Sequence, residues 1–349
     1  MRRRGALFVL GLALSLQTVV HADYLEGMDD YRRAWAAYAA QQYAEAGRWV
    51  AQAIQADPAN PYAHALAGDL AYLAHDLHRA QVAWQRALTL DPRLRVLQDR
   101  LAQVAQEHAF DTGQQMRADE LFVLSTPIAD TDQRAALLHE LHAAQRVIEE
   151  HLQCRLQGPI TVLVYAPEVF YDGLHVPTAV AGLFDGKVRL PVRPAGTAPS
   201  MRAVVWHELT HAAVHQLTHG AAPRWLHEGV AQAVQAEVET IPVDALRLAV
   251  QQHTVPSLAM LEGRSGTFGE AVTMPSTLFY QAAWLQVDYV IEHRGWAGLR
   301  RLLDSVGRGT SATEALTQMM QMSEADWDRQ WQRWVSDSLD VEAPRAKSQ

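Results

Sequence analysis

His207-Glu208-Leu209-Thr210-His211, followed by Trp225-Leu226-His227-Glu228-Gly229, is the pair of stretches on which the reading of this chain turns. The first lies in a run that Ser200 can cap and Gly220 can end, so a helix over about 200–219 is expected. Four-residue spacing sets His207 and His211 one turn apart on one face, flanked by apolar Val204, Val205, Leu209 and Ala212. Two imidazoles so placed can reach one metal ion, while Glu208, beside His207 on the helix surface, can face the position where a water would sit. The bare pattern is only a fair signal, since a chain with 16 histidines produces it by chance at roughly a few per cent. The helical, apolar context gives it weight.

A catalytic zinc takes three protein ligands and keeps one position open. After the turn at Gly220 a second helix is expected over about 223–239, with Pro223 as its first residue and Glu228 about one turn in. Gly229 then reads as a small residue that lets this helix approach the metal helix. His227 is the rival third ligand; the two-histidine, one-glutamate set of catalytic zinc sites favours Glu228.

These residues resemble the gluzincins of the peptidase MA type: His207, Glu208 and His211, then Trp225, Leu226, Glu228, Gly229 and Ala231, with Tyr280-Gln281-Ala282-Ala283 similar to the family's helix after the metal site. The resemblance covers about 120–335. It implies a Zn²⁺ peptidase in which His207, His211 and Glu228 hold the metal and Glu208 is the catalytic base. It also implies that the strand before the metal helix, Lys187 to Val192, edges the cleft and binds extended substrate backbone. Thermolysin-like relatives carry an acid four residues after the third ligand, where this chain has Gln232, and the third histidine of metzincins is replaced by Leu217. Tyr280 reads either as a donor to the oxyanion of a tetrahedral intermediate or as an aromatic anchor in the core. His215 and His219 continue the four-residue series, but such a series drifts about 40° per step off one helix face, which favours ordinary helix residues over a second metal site. The tryptophans of this region read as packing residues.

Upstream, Asp57-Pro58 and Asp91-Pro92 stand 34 residues apart, and at the same period Ala46 matches Ala80, Val50 matches Trp84 and Ala53 matches Ala87. That is the tetratricopeptide period, with two units over about residues 27–93, Gly68 at a small helix-packing position, and 93–108 as a capping helix. The repeats offer either a groove for a protein partner or a stiff spacer. A polar stretch at 111–119 suits a linker. Strands are expected at 121–125 and 160–165 around a helix at 132–152, a hairpin of 179–184 and 187–192 turns at Asp185-Gly186, and helices at 276–293 and 323–335 follow. Strands followed by helices define an α+β domain behind an all-α repeat segment. The expected division is a leader at 1–22, repeats at 23–110, the peptidase-like domain at 120–338 and a disordered tail at 339–349.

Arg2, Arg3 and Arg4 before the apolar run Ala6 to Leu16, with Val20-His21-Ala22 before Asp23, form a secretory signal; an uncleaved anchor is the other reading, but the apolar run is short for a span. Removing it leaves 27 basic against 39 acidic residues, which excludes nucleic acid as a natural partner. Cys154 is the only cysteine, so neither an internal disulfide nor a cysteine-based zinc site can form. Lys187 and Lys347 are the only lysines, an arginine bias that points to a bacterial source and so to a periplasmic or secreted protein without a membrane span. The expected activity is zinc-dependent hydrolysis of peptide or protein substrates. A catalytically silent binding module and a non-peptidase amide hydrolase are the alternatives.

Overall fold

The computed structural model describes residues 29–39, 42–110, 115–174, 176–263 and 274–340. The leader at 1–22 and the tail from 341 onward lie outside them. Leu339 and Asp340, assigned to that tail, instead close the last helix, where Leu339 is buried.

The chain begins with α1 (Asp29–Ala39), α2 (Tyr43–Ala56), α3 (Pro61–Leu73), α4 (Leu77–Leu90) and α5 (Val96–Phe110), each packed on the next. Asn60 caps α3 by accepting from the Tyr62 and Ala63 N–H groups, and Asp76 caps α4 through the Arg79 N–H. The residues matched at the 34-residue period, Ala46 and Ala80, Val50 and Trp84, Ala53 and Ala87, are all buried. A Cβ on Gly68 would overlap the Trp84 indole, whose Nε1 donates to Ala65 O at 3.1 Å and Asp69 Oδ1 at 2.9 Å. Glycine there lets the indole lie against the backbone of α3.

A five-stranded sheet follows: β1 (Gln115–Ala118), β2 (Phe122–Thr126), then helix α6 (Thr131–Leu152), β3 (Ile160–Tyr165), β4 (Leu183–Phe184) and β5 (Val188–Pro191), in the order β1-β2-β3-β5-β4. β2, β3 and β5 are parallel, while β1 and β4 run antiparallel at the edges. α6 lies in the crossover that a parallel β2–β3 pair requires. β3 is buried throughout, as a central strand rich in Val and Ile should be. β1 falls in the stretch expected to be a linker; four residues with Met116 as the one large apolar side chain are too few to show an alternating period.

The hairpin turns at Gly186, with φ of 98°, where glycine carries no Cβ penalty. Its first strand is only Leu183–Phe184, and the expected edge strand is corrected. Val188 and Arg189 pair with β4 on one side and β3 on the other, so the outermost strand is β4. Lys187 and Arg189, which alternation alone would leave on a solvent edge, are buried against α5. Lys187 Nζ meets Glu107 Oε2 at 2.9 Å and Arg189 Nη2 meets Glu107 Oε1 at 2.8 Å, with Tyr72 bonded to the same carboxylate. Arg189 also pairs with Asp185 at 3.0 Å and donates to Tyr165 at 2.8 Å.

The remaining elements are helical: α7 (Met201–Thr218), α8 (Arg224–Gln235), α9 (Asp244–Gln251), α10 (Leu258–Leu261), α11 (Ser276–Gly307, broken at Gly295 with φ of 66°), α12 (Ala312–Met320) and α13 (Glu324–Asp340). α11 packs on α7, α8, α9, α12 and α13. The result is a predominantly helical protein with a small mixed sheet. One compact unit comprises the residues up to Leu138 with Gln157–Arg193 and holds the sheet; the other comprises His139–Leu156 with Pro194 onward and holds α7 to α13. Among the described residues no helix is long and apolar enough to cross a membrane.

Candidate metal centre

α7 is built as its sequence requires. The Ser200 hydroxyl accepts from the Ala203 N–H at 3.2 Å, and His219 and Gly220 take positive φ at the other end, so the helix stops at Thr218. Val204, Val205, Leu209, Ala212 and Ala213 anchor it in the core. The Trp206 Nε1 donates to Glu140 at 2.6 Å, and Arg202 pairs with the same carboxylate at 3.1 Å, which ties α7 to the second half of α6. Pro223 stands at the cap of α8, one position before the first helical residue where it was expected.

α8 lies against α7 and brings Glu228 to the two histidines. His207 Nε2 is 3.4 Å and His211 Nε2 3.6 Å from Glu228 Oε2. Donors at 2.0–2.1 Å from a tetrahedral zinc stand about 3.3 Å apart, so each imidazole nitrogen stands from Glu228 Oε2 at close to the spacing of two zinc ligands. His207, Glu208 and His211 also place ligand atoms within 4.8 Å of one another. Between the two glutamates, Glu228 is the better ligand because one of its oxygens approaches both imidazole nitrogens. Glu208 is buried and its Oε2 has no hydrogen-bond partner among the described residues, an arrangement suited to receiving a water's proton.

The electrostatics fit a cation at this point. Burial pushes the Glu208 carboxyl up to about 8, with Glu228 adding to the rise and His207 opposing it. His211 is driven well below its ordinary range by burial, then by His207 and His227, and is held as the neutral imidazole that ligates metal. His207 is also pulled down by burial, but its bond to Glu228 and the charges of Glu208 and Glu228 outweigh that and raise it. A buried carboxylate, Glu208, and a half-buried one, Glu228, beside two histidines are what a divalent ion would neutralise.

His227, the rival ligand, is placed elsewhere: its Nδ1 is 3.3 Å from His211 Nδ1, on the side of that ring opposite Glu228. Burial, then His215, pushes it down to about 3. No metal-type group among the described residues includes His215 or His219. Gly229 is corrected too: a Cβ there would overlap Ala283 O and lie 2.6 Å from Val287 Cγ2, so the close approach it permits is to α11 and not to the metal helix.

Tyr280, on α11, accepts from Arg224 Nη2 at 3.1 Å, and the guanidinium lies 4.6 Å from the Phe279 ring centre and 5.5 Å from that of Tyr280. Burial raises the Tyr280 hydroxyl's pKa and the Glu228 charge adds to it, so that hydroxyl is within electrostatic reach of Glu228. Of the other tryptophans, Trp225, Trp327 and Trp331 are fully buried, as packing residues should be. Two contributors have no signal in the sequence. Arg224 braces Tyr280, and Gln235 bonds His207 Nδ1 through its Oε1 at 2.9 Å.

The chain belongs to the peptidase MA superfamily, whose family model matches residues 143–337, more than half of its 349 residues. That membership gives it a peptidase-type function, and the superfamily is typically zinc-dependent. No curated protein matches the sequence.

Proposed function

We propose that this protein is an exported zinc-dependent peptidase of the gluzincin type, with His207, His211 and Glu228 as metal ligands and Glu208 as general base. The observation that carries the proposal is the convergence of two imidazole nitrogens on one Glu228 oxygen, at 3.4 Å and 3.6 Å, beside a buried Glu208 oxygen without a partner. His207, His211 and Glu228 would hold a zinc ion that, when bound, would lower the pKa of a water to about 7 and polarise a substrate carbonyl. Glu208 takes the proton as the water's oxygen attacks the carbonyl carbon, and returns it to the nitrogen as the C–N bond breaks. Tyr280, held by Arg224, donates a hydrogen bond to the oxygen on which charge develops. α1 to α5 are of tetratricopeptide type and offer a face to a protein partner; the substrate is a peptide or protein.

A peptide-library digest with zinc-loaded and chelator-stripped protein tests the function. Cuts that appear only with zinc are the expected result. A zinc-loaded protein that cuts nothing is a binding module, and one that hydrolyses only non-peptide amides is a different hydrolase; either overturns the peptidase reading.

A further inference from the structure

Gln235 is the last residue of α8, seven residues after Glu228, so two helical turns return it to nearly the same face. Its Oε1 stands 2.9 Å from His207 Nδ1. A carbonyl oxygen can only accept, so the ring nitrogen facing it carries the hydrogen. In the neutral ring, the form that ligates metal, the other nitrogen, Nε2, then carries the lone pair, on the side of Glu228, 3.4 Å away. One helix thus supplies both the third ligand of the candidate centre and the group that fixes the tautomer and orientation of the first. Gln232, one turn after Glu228, does not share this role: it is buried, and its Oε1 is without a partner among the described residues.

The partner's chemistry matters as much as its position. A histidine ligand that donates its second N–H to a carboxylate is made more basic and binds metal more tightly; an amide oxygen orients the ring without that charge. His211 has the same kind of neighbour, the imidazole of His227 at 3.3 Å. We propose that Gln235 is a positioning residue that holds His207 in its metal-binding tautomer, and that this neutral bond sets the zinc affinity of the centre below what a carboxylate there would give. The inference rests on the metal-centre reading above.

Zinc affinity, measured by competition with a chromophoric chelator on the full chain, tests it with Gln235→Leu and Gln235→Glu. Gln235→Leu keeps helix propensity and side-chain bulk but cannot accept. It is expected to bind zinc 10- to 100-fold more weakly, in the range found for loss of outer-sphere partners, with the thermal unfolding of the metal-free protein unchanged. Gln235→Glu restores an acceptor, now charged, and is expected to bind at least as tightly as wild type. The absorption bands of the cobalt-substituted protein should move in Gln235→Leu and return toward wild type in Gln235→Glu, which a merely structural role would not produce. Wild-type affinity and spectrum in Gln235→Leu would overturn the inference while leaving the metal centre standing. A wild-type chain that binds no zinc would overturn both.

Discussion

Glu208→Gln is expected to keep about one zinc per chain while turnover of a cleaved peptide falls by about 10²- to 10⁴-fold. Glutamine preserves the size, the helix propensity and the buried position of the side chain. What it cannot do is take a proton, and Glu208 Oε2 is the one buried carboxylate oxygen of the centre left without a partner among the described residues. The loss should fall on kcat, because the missing interaction is made in the transition state and not on binding. Zinc content, kcat and KM on one preparation check this, and a fully active variant would remove Glu208 from the chemistry.

The second large effect is on stability. Glu107 sits 3% exposed between Lys187 and Arg189, and Glu107→Gln leaves two buried cations short of their shared carboxylate. Breaking a buried pair from one side costs about 3–5 kcal/mol, far more than an exposed pair is worth. Denaturant unfolding of variant and wild type at pH 7 measures the difference, and a loss under about 1 kcal/mol would mean that the network is not buried as described. The pH dependence has a definite sign. Burial alone would raise the Glu107 carboxyl, but Arg189 and Lys187 hold it down to about 2 from an ordinary 4.5. A depressed carboxyl stabilises the folded state above its unfolded value, so the wild-type advantage should be complete above pH 4.5 and fade as the pH falls toward 2.

What could be read from the sequence is what local chemistry punctuates. Ser200, Gly220 and Pro223 place both ends of α7 and the start of α8 within a residue or two of the expected bounds, because caps and breakers act on their immediate neighbours, whereas α8 ends at Gln235, four residues before the expected 239. The residues matched at the 34-residue spacing, on α2 and α4, are buried, as recurring helix-packing positions should be. The short helices were invisible. The Leu246 N–H at the start of α9 is taken by Gln281 at 2.8 Å, and the Leu258 N–H at the start of α10 by Asp328 at 2.9 Å, so both depend on partners far along the chain. The helix expected at 276–293 does lose helical geometry at Gly295, but a second helical stretch, not foreseen, follows at once and runs to Gly307.

The candidate site divides along the same line. Four of its residues announced themselves through spacing and motif. Gln235 did not, since an amide at the end of a helix is unremarkable until its bond to His207, 28 residues away, is seen. The buried burden of Lys187 and Arg189 was likewise hidden, because their partner Glu107 is 80 or more residues distant.

Zinc content after exhaustive dialysis, compared for wild type, His207→Ala, His211→Ala and Glu228→Ala, bears most directly on the metal centre. Wild type should retain about one zinc per chain, and each variant should lose it, since two remaining ligands make a poor zinc site. Full zinc in Glu228→Ala, or none in wild type, would contradict the assignment of these three residues as the ligands.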